Sequence, residues 1–136
     1  MRTRKLTIIM VLTITVAIAA AATADKPGPP RYANLKVLPK NISSKELQGI
    51  MADDFDDGLG VSCGFCHANA KDGHGLDFSS DAKPEKQLAR TMIRMTLSIN
   101  EKYLGQKHPK IGSETLVVSC TTCHKGQPFP DGTEPK

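Results

Sequence analysis

The chain contains no tryptophan, and its 136 residues include only two tyrosines and four phenylalanines. A domain of this size buries a modest share of its surface, so six aromatics leave the interior short of large side chains. Cysteine is equally sparse, with four residues and none before Cys63. That excludes a lipid anchor on a processed N-terminal cysteine. A charge excess of one sign is also missing: the formal +4 owes three cations to Arg2, Arg4 and Lys5, and residues 25–136 carry 15 Lys and Arg against 14 Asp and Glu. Nothing in this balance points to nucleic acid.

Long apolar runs occur in one place. Leu6 to Ala22 is a 17-residue uncharged stretch behind the basic Met1–Lys5, and it leads into Ala22-Thr23-Ala24 and then Asp25, Pro27, Gly28, Pro29 and Pro30. This is the pattern of a secretory signal peptide cleaved after Ala24. The rival reading is an uncleaved membrane anchor, because roughly 17 to 25 apolar residues can span a bilayer. Both readings place the remainder outside the cytoplasmic membrane, in the periplasm.

The four cysteines fall in two copies of one phrase, Val61-Ser62-Cys63-Gly64-Phe65-Cys66-His67 and Val118-Ser119-Cys120-Thr121-Thr122-Cys123-His124. Two thiols three positions apart can form thioether bonds to both vinyl groups of one haem, while the next residue, a histidine, turns its imidazole to the iron. Each copy therefore reads as a c-type haem attachment site, with Cys63, Cys66, Cys120 and Cys123 as covalent anchors and His67 and His124 as proximal ligands. Two covalently bound haems c would also complete the interior that six aromatics cannot fill, and the apoprotein should fold poorly.

Other uses of such pairs explain less. A zinc site with four thiolates does not account for a histidine after both pairs. A thioredoxin-like redox pair belongs beside a βαβ pattern, which a duplicated motif in a loop-rich chain does not provide. Structural disulfides are allowed by the compartment.

Around the motifs the chain reads as mostly α, with few or no strands. Residues 25–33 form a Pro-rich tether, residues 34–130 the dihaem domain, and residues 131–136 an irregular tail. Asn34-Leu35-Lys36-Val37-Leu38-Pro39 is a short apolar segment that can pack as a strand or against a haem edge. Ser43-Ser44-Lys45-Glu46 spells a capping box, and the helix it opens places Leu47, Ile50, Met51 and Phe55 on one face. Asp53, Asp54, Asp56 and Asp57 crowd its C-terminal end, against the helix dipole, before Gly58 and Gly60 stop it. Residues 68–82 read as a loop. A second helix starts near Lys83, with Pro84 in its first turn, and runs to about Tyr103. Its buried stripe is expected to be Leu88, Met92, Met95 and Ile99, with Arg90, Arg94, Glu101 and Lys102 facing solvent. Each attachment motif thus follows a helix that carries a methionine, with 57 positions between Cys63 and Cys120.

The sixth ligands can come from Met51, Met92, Met95, His74 or His108. Met92 and Met95 lie three apart on one helical face, and only one can bind a given iron. A methionine on a helical stripe is more often core filling than ligand.

From Asn34 to about Pro128 the chain resembles the cytochrome subunit of purple-bacterial photosynthetic reaction centres. The resemblance rests on Asn34-Leu35-Lys36-Val37-Leu38, the helix through Met51, Ala89-Arg90-Thr91-Met92-Ile93-Arg94-Met95-Thr96, Ser98-Ile99-Asn100, and the segment from Cys120 to Pro128. It implies a small multihaem cytochrome c domain of two modules, each with a Met-bearing helix, a turn or loop and the Cys-x-x-Cys-His segment. It also implies Met51 as sixth ligand of the first haem iron and Met92 of the second, with Met95 a pocket neighbour. His74 and His108 fall in loops outside the shared motif, and His74 is the candidate for a bis-histidine site. The family subunit carries four haems, so two motifs match half of it, and His124-Lys125-Gly126 stands where His-Arg-Gly is more familiar.

The expected function is single-electron transfer between redox partner proteins, among them a membrane electron-transfer complex, rather than enzymatic turnover. The alternative is a dihaem peroxidase-like or gas-binding protein, and both forms of it require one iron with an open position.

Overall fold

The computed structural model describes residues 32–130. The expected signal segment, most of the tether and the tail at 131–136 lie outside the described residues.

Ser43 opens the first helix as expected: its hydroxyl accepts from the Glu46 backbone N–H at 3.1 Å, satisfying one of the donors that a helix start leaves free. Helix α1 covers Ser44–Gly49 and then widens into a π-helical segment, π1, over Ile50–Asp57. Such widening is usually confined to a single turn and is frequent at functional sites. Gly60, at φ +64°, ends the run in the left-handed region that glycine enters without steric cost.

The first Cys-x-x-Cys segment is one helical turn, α2, over Cys63–Cys66. A small antiparallel pair follows, β1 (Ala68–Asn69) with β2 (Leu76–Asp77), in the register Ala68 to Asp77 and Asn69 to Leu76. It closes within the stretch expected to be loop, through Asx contacts in which the Asp77 carboxylate accepts from the Ser79 and Ser80 backbone. The longest element, α3, spans Pro84–Lys102, with Lys83 and Tyr103 as its caps. The second Cys-x-x-Cys-His segment is α4, Cys120–His124.

The core is small and made of isoleucines. Ile42, Ile50, Ile93 and Ile111 are buried together, and Tyr32, Leu35, Val37, Leu38, Leu47, Phe55, Leu97 and Leu116 pack around them. Leu35, Val37 and Leu38 reach this core from irregular chain, with no strand at residues 34–39.

One sequence expectation about α3 is reversed. Its core-facing residues are Arg90, Ile93, Thr96 and Asn100, whereas Leu88, Met92 and Met95 are 52%, 36% and 48% exposed. Arg90, expected to face solvent, is buried because its charge is met on the inside: its guanidinium donates to Asp81 at 2.8 Å, to Gln87 Oε1 at 3.3 Å and to the Asn34 carbonyl at 3.2 Å. Asp81 also takes Lys36 at 2.5 Å and Asn34 Nδ2 at 2.8 Å. A paired, hydrogen-bonded cation can occupy a core position that an unpaired one cannot.

Candidate functional site

Both cysteine motifs fold as tight helical turns opened by a serine. Phe65 N–H donates to Ser62 O at 2.9 Å and Thr122 N–H to Ser119 O at 3.3 Å, so the two turns open alike, although His67 leaves the first in extended backbone and His124 closes the second as its last helical residue. The second is capped more fully, because the Thr122 hydroxyl accepts from the Ser119 N–H at 3.0 Å. A turn of this kind sets residues three apart on one side, so each pair of thiols points the same way. All four cysteines are free thiols, and no disulfide joins either pair.

One thiol of each pair holds its proton more firmly than a free cysteine. Burial, reinforced by Asp54, pushes Cys120 up to about 11, and burial with Glu85 raises Cys66. Redox-active pairs show the opposite shift, which argues against thiol exchange chemistry. Nor do the two pairs converge: among the described residues no group of three or more His, Cys, Asp or Glu is placed to hold a metal ion. The four-thiolate zinc site is therefore not built.

The histidines complete the donor set. His124 Nδ1 lies 3.0 Å from the Gln127 carbonyl oxygen. A carbonyl can only accept, so Nδ1 carries the proton and the Nε2 lone pair is left free for a metal. His67 is half-buried, its ring edge-on to Phe78 with centroids 4.9 Å apart, and its Nδ1 is buried with no hydrogen-bond partner. Burial, with Lys86 adding to it, holds the His67 imidazole below its ordinary range, so the ring is neutral, as a ligand must be.

The methionines are placed as follows. Met51 is half-buried at the start of π1. Met92 and Met95 line the outward stripe of α3 with Leu88. An apolar stripe on an exposed helix face beside a cysteine turn fits a large flat apolar group, and the thioethers, imidazoles and paired thiols fit the chemistry of a covalent haem. His74 and His108 are exposed loop residues, His108 with φ +55°.

Two features were not read from the sequence as parts of the site. Asn100, completely buried, donates to Thr96 O at 2.9 Å and Val118 O at 2.7 Å, and its Oδ1 accepts from the Val117 and Val118 N–H groups, both at 3.1 Å. It fixes the chain entering the second motif to the end of α3. The second feature is a glycine seam: Gly126 N–H donates to Gly58 O at 3.1 Å, and a Cβ on Gly60 would stand 2.3 Å from Gly126 O. The turn leading into the first motif therefore rests on the turn leaving the second. The signals were present, Asn100 in the quoted Ser98-Ile99-Asn100 and the glycines as helix terminators, but their long-range partners were not.

Among the described residues no helix is long and apolar enough to cross a membrane. The family model described as photosynthetic reaction centre cytochrome C subunit matches residues 4–134. Cytochrome c-554 of Chloroflexus aurantiacus is 31% identical over 99 residues, covering 73% of this chain and 22% of that protein. The photosynthetic reaction center cytochrome c subunit of Roseobacter denitrificans is 37% identical over 68 residues, covering 50% of this chain and 17% of that protein. The chain thus spans about a fifth of the length of these relatives. No solved structure matches it.

Proposed function

Because the chain belongs to the photosynthetic reaction centre cytochrome c subunit family, a family of haem-based electron-transfer proteins, we propose that it is an exported dihaem carrier that passes single electrons between redox partners. The observation that carries this reading is the pair of cysteine turns that open alike, each with free thiols on one side and a histidine at its end. Cys63 and Cys66 would hold one haem and Cys120 and Cys123 the other, with His67 and His124 on the irons. When bound, each haem supplies a one-electron ferric and ferrous couple.

The protein's own contribution is to hold the ligands still. Gln127 fixes the ring of His124 through Nδ1, Asn100 fixes the chain ahead of Cys120, and Phe78 braces the ring of His67. Met51 and Met92 are the proposed sixth ligands, with Met95 beside Met92. A neutral thioether favours ferrous iron and raises the potential. Held by one histidine and one methionine of this chain, each haem iron would have no open position for a substrate, which would suit a carrier rather than an enzyme. The proposed partners are redox proteins of the periplasmic face, a membrane electron-transfer complex among them.

Purification of the protein from the native membrane with haem staining and intact mass tests the reading. Two haems per chain and negligible carbon monoxide binding to the reduced protein are expected. Rapid carbon monoxide binding by one haem would replace the carrier with the open-iron alternative.

A further inference from the structure

We infer that the two haem sites differ in their hold on an electron, the one at Cys63–His67 being the stronger acceptor because lysines of the α3 N-terminus donate to its backbone while the aspartate-rich π1 packs against the other. The inference rests on the dihaem reading and adds the order of the two potentials.

At the first site, Lys83 Nζ donates to the carbonyl of Gly64 and, at 3.4 Å, to that of Phe65, the two residues between the thiols. Lys86 Nζ donates to Phe78 O at 2.7 Å and Ser80 O at 2.6 Å, and the Phe78 ring lies against His67. Among the described residues the two ion pairs are those of Asp81 with Lys36 and Arg90, so neither Lys83 nor Lys86 is in an ion pair, and both donate to backbone oxygens. Two of the three carboxylates of this neighbourhood are engaged elsewhere: Asp81 is taken up by its two cations and Asp77 accepts from Ser79 and Ser80, which leaves Glu85, in the first turn of α3, as the carboxylate set against two lysines.

At the second site the balance is reversed. A Cβ on Gly58 would lie 3.6 Å from Cys120 Cβ and 3.5 Å from Thr121 Cγ2, so the end of π1 rests on α4. That segment carries Asp53, Asp54, Asp56 and Asp57, none of them in an ion pair among the described residues, against Lys125 on the flank of the motif.

A ferric haem carries one more positive charge than a ferrous one, so nearby cations favour reduction and nearby carboxylates oppose it. In the singly reduced protein the electron would reside mainly at the first site, the second-site iron being oxidised as the first-site iron is reduced. No proton or bond is exchanged.

The test is a dithionite redox titration of the holoprotein at low salt, followed by visible absorbance. Two waves are expected. Lys83→Gln with Lys86→Gln should lower the upper wave by about a tenfold change in equilibrium constant, 59 mV for one electron, and leave the lower wave in place. Asp54→Asn with Asp57→Asn should raise the lower wave. In the unmutated protein, added salt should narrow the gap by screening. A single wave, lysine substitutions that move the lower wave, or a gap indifferent to salt would overturn the ordering. A haem count other than two per chain would instead overturn the dihaem reading.

Discussion

At the scale of single residues, the site depends on side chains whose polar atoms are all used or deliberately left open. Asn100 uses both amide donors and both carbonyl lone pairs inside the protein, so its loss leaves Val118 O and two N–H groups in a half-buried stretch without their protein partner. Asn100→Ala is expected to cost about 3 kcal/mol and to reduce haem occupancy at Cys120 and Cys123 more than at Cys63 and Cys66; urea unfolding and haem counting check both. The ligand assignment is tested by exchanges that conserve volume. Met92→Leu or Met51→Leu should cost less than about 1.5 kcal/mol and abolish the sulfur-to-iron charge-transfer band of one haem each. Met95→Leu should leave both bands, and a band lost there instead would move the second ligand from Met92 to Met95.

At the scale of elements, α3 works with two faces. The inner one, Ile93, Thr96 and Asn100 with Arg90, is held by the isoleucine core and by the Asp81 network that ties residues 34–36 to the helix. The outer one presents Leu88, Met92 and Met95. Hydrogen bonds from Lys36 and then Arg90 hold the Asp81 carboxyl well below the usual carboxylate range. A depressed folded-state pKa means that this stabilisation is complete above the unfolded value of about 4 and is lost as pH falls below it. The melting temperature should therefore decline below about pH 4, with a shallower decline in Asp81→Asn. An identical acid limb in the variant would show that other carboxylates govern it.

At the scale of the whole molecule, four buried isoleucines and a ring of partly buried apolar neighbours make a thin core for the described 99 residues. Small domains with thin cores generally need a staple. The expected outcome is that protein expressed without haem attachment gives a broad, weakly cooperative thermal transition by circular dichroism, whereas the haem-loaded protein melts sharply. A sharp apoprotein transition would show that the isoleucine core suffices alone. The glycine seam also acts at this scale, since it ties the turn before the first motif to the turn after the second.

By itself the sequence determined what depends on local pattern. The attachment turns follow from Cys-x-x-Cys-His spacing, the start of α1 from the Ser43 cap and the start of α3 from Pro84, because covalent reach, capping and backbone freedom act over a few residues. The tertiary structure alone decided which way α3 turns. Hydrophobicity favours Leu88, Met92 and Met95 as the inner face, but Arg90 and Asn100 win the interior because Asp81, Asn34 and Val118 arrive from distant parts of the chain to satisfy them. The same holds for the contact of Gly58 with Gly126 and for the placement of lysines at one motif and aspartates at the other. These are long-range pairings, and no periodicity encodes which partner arrives.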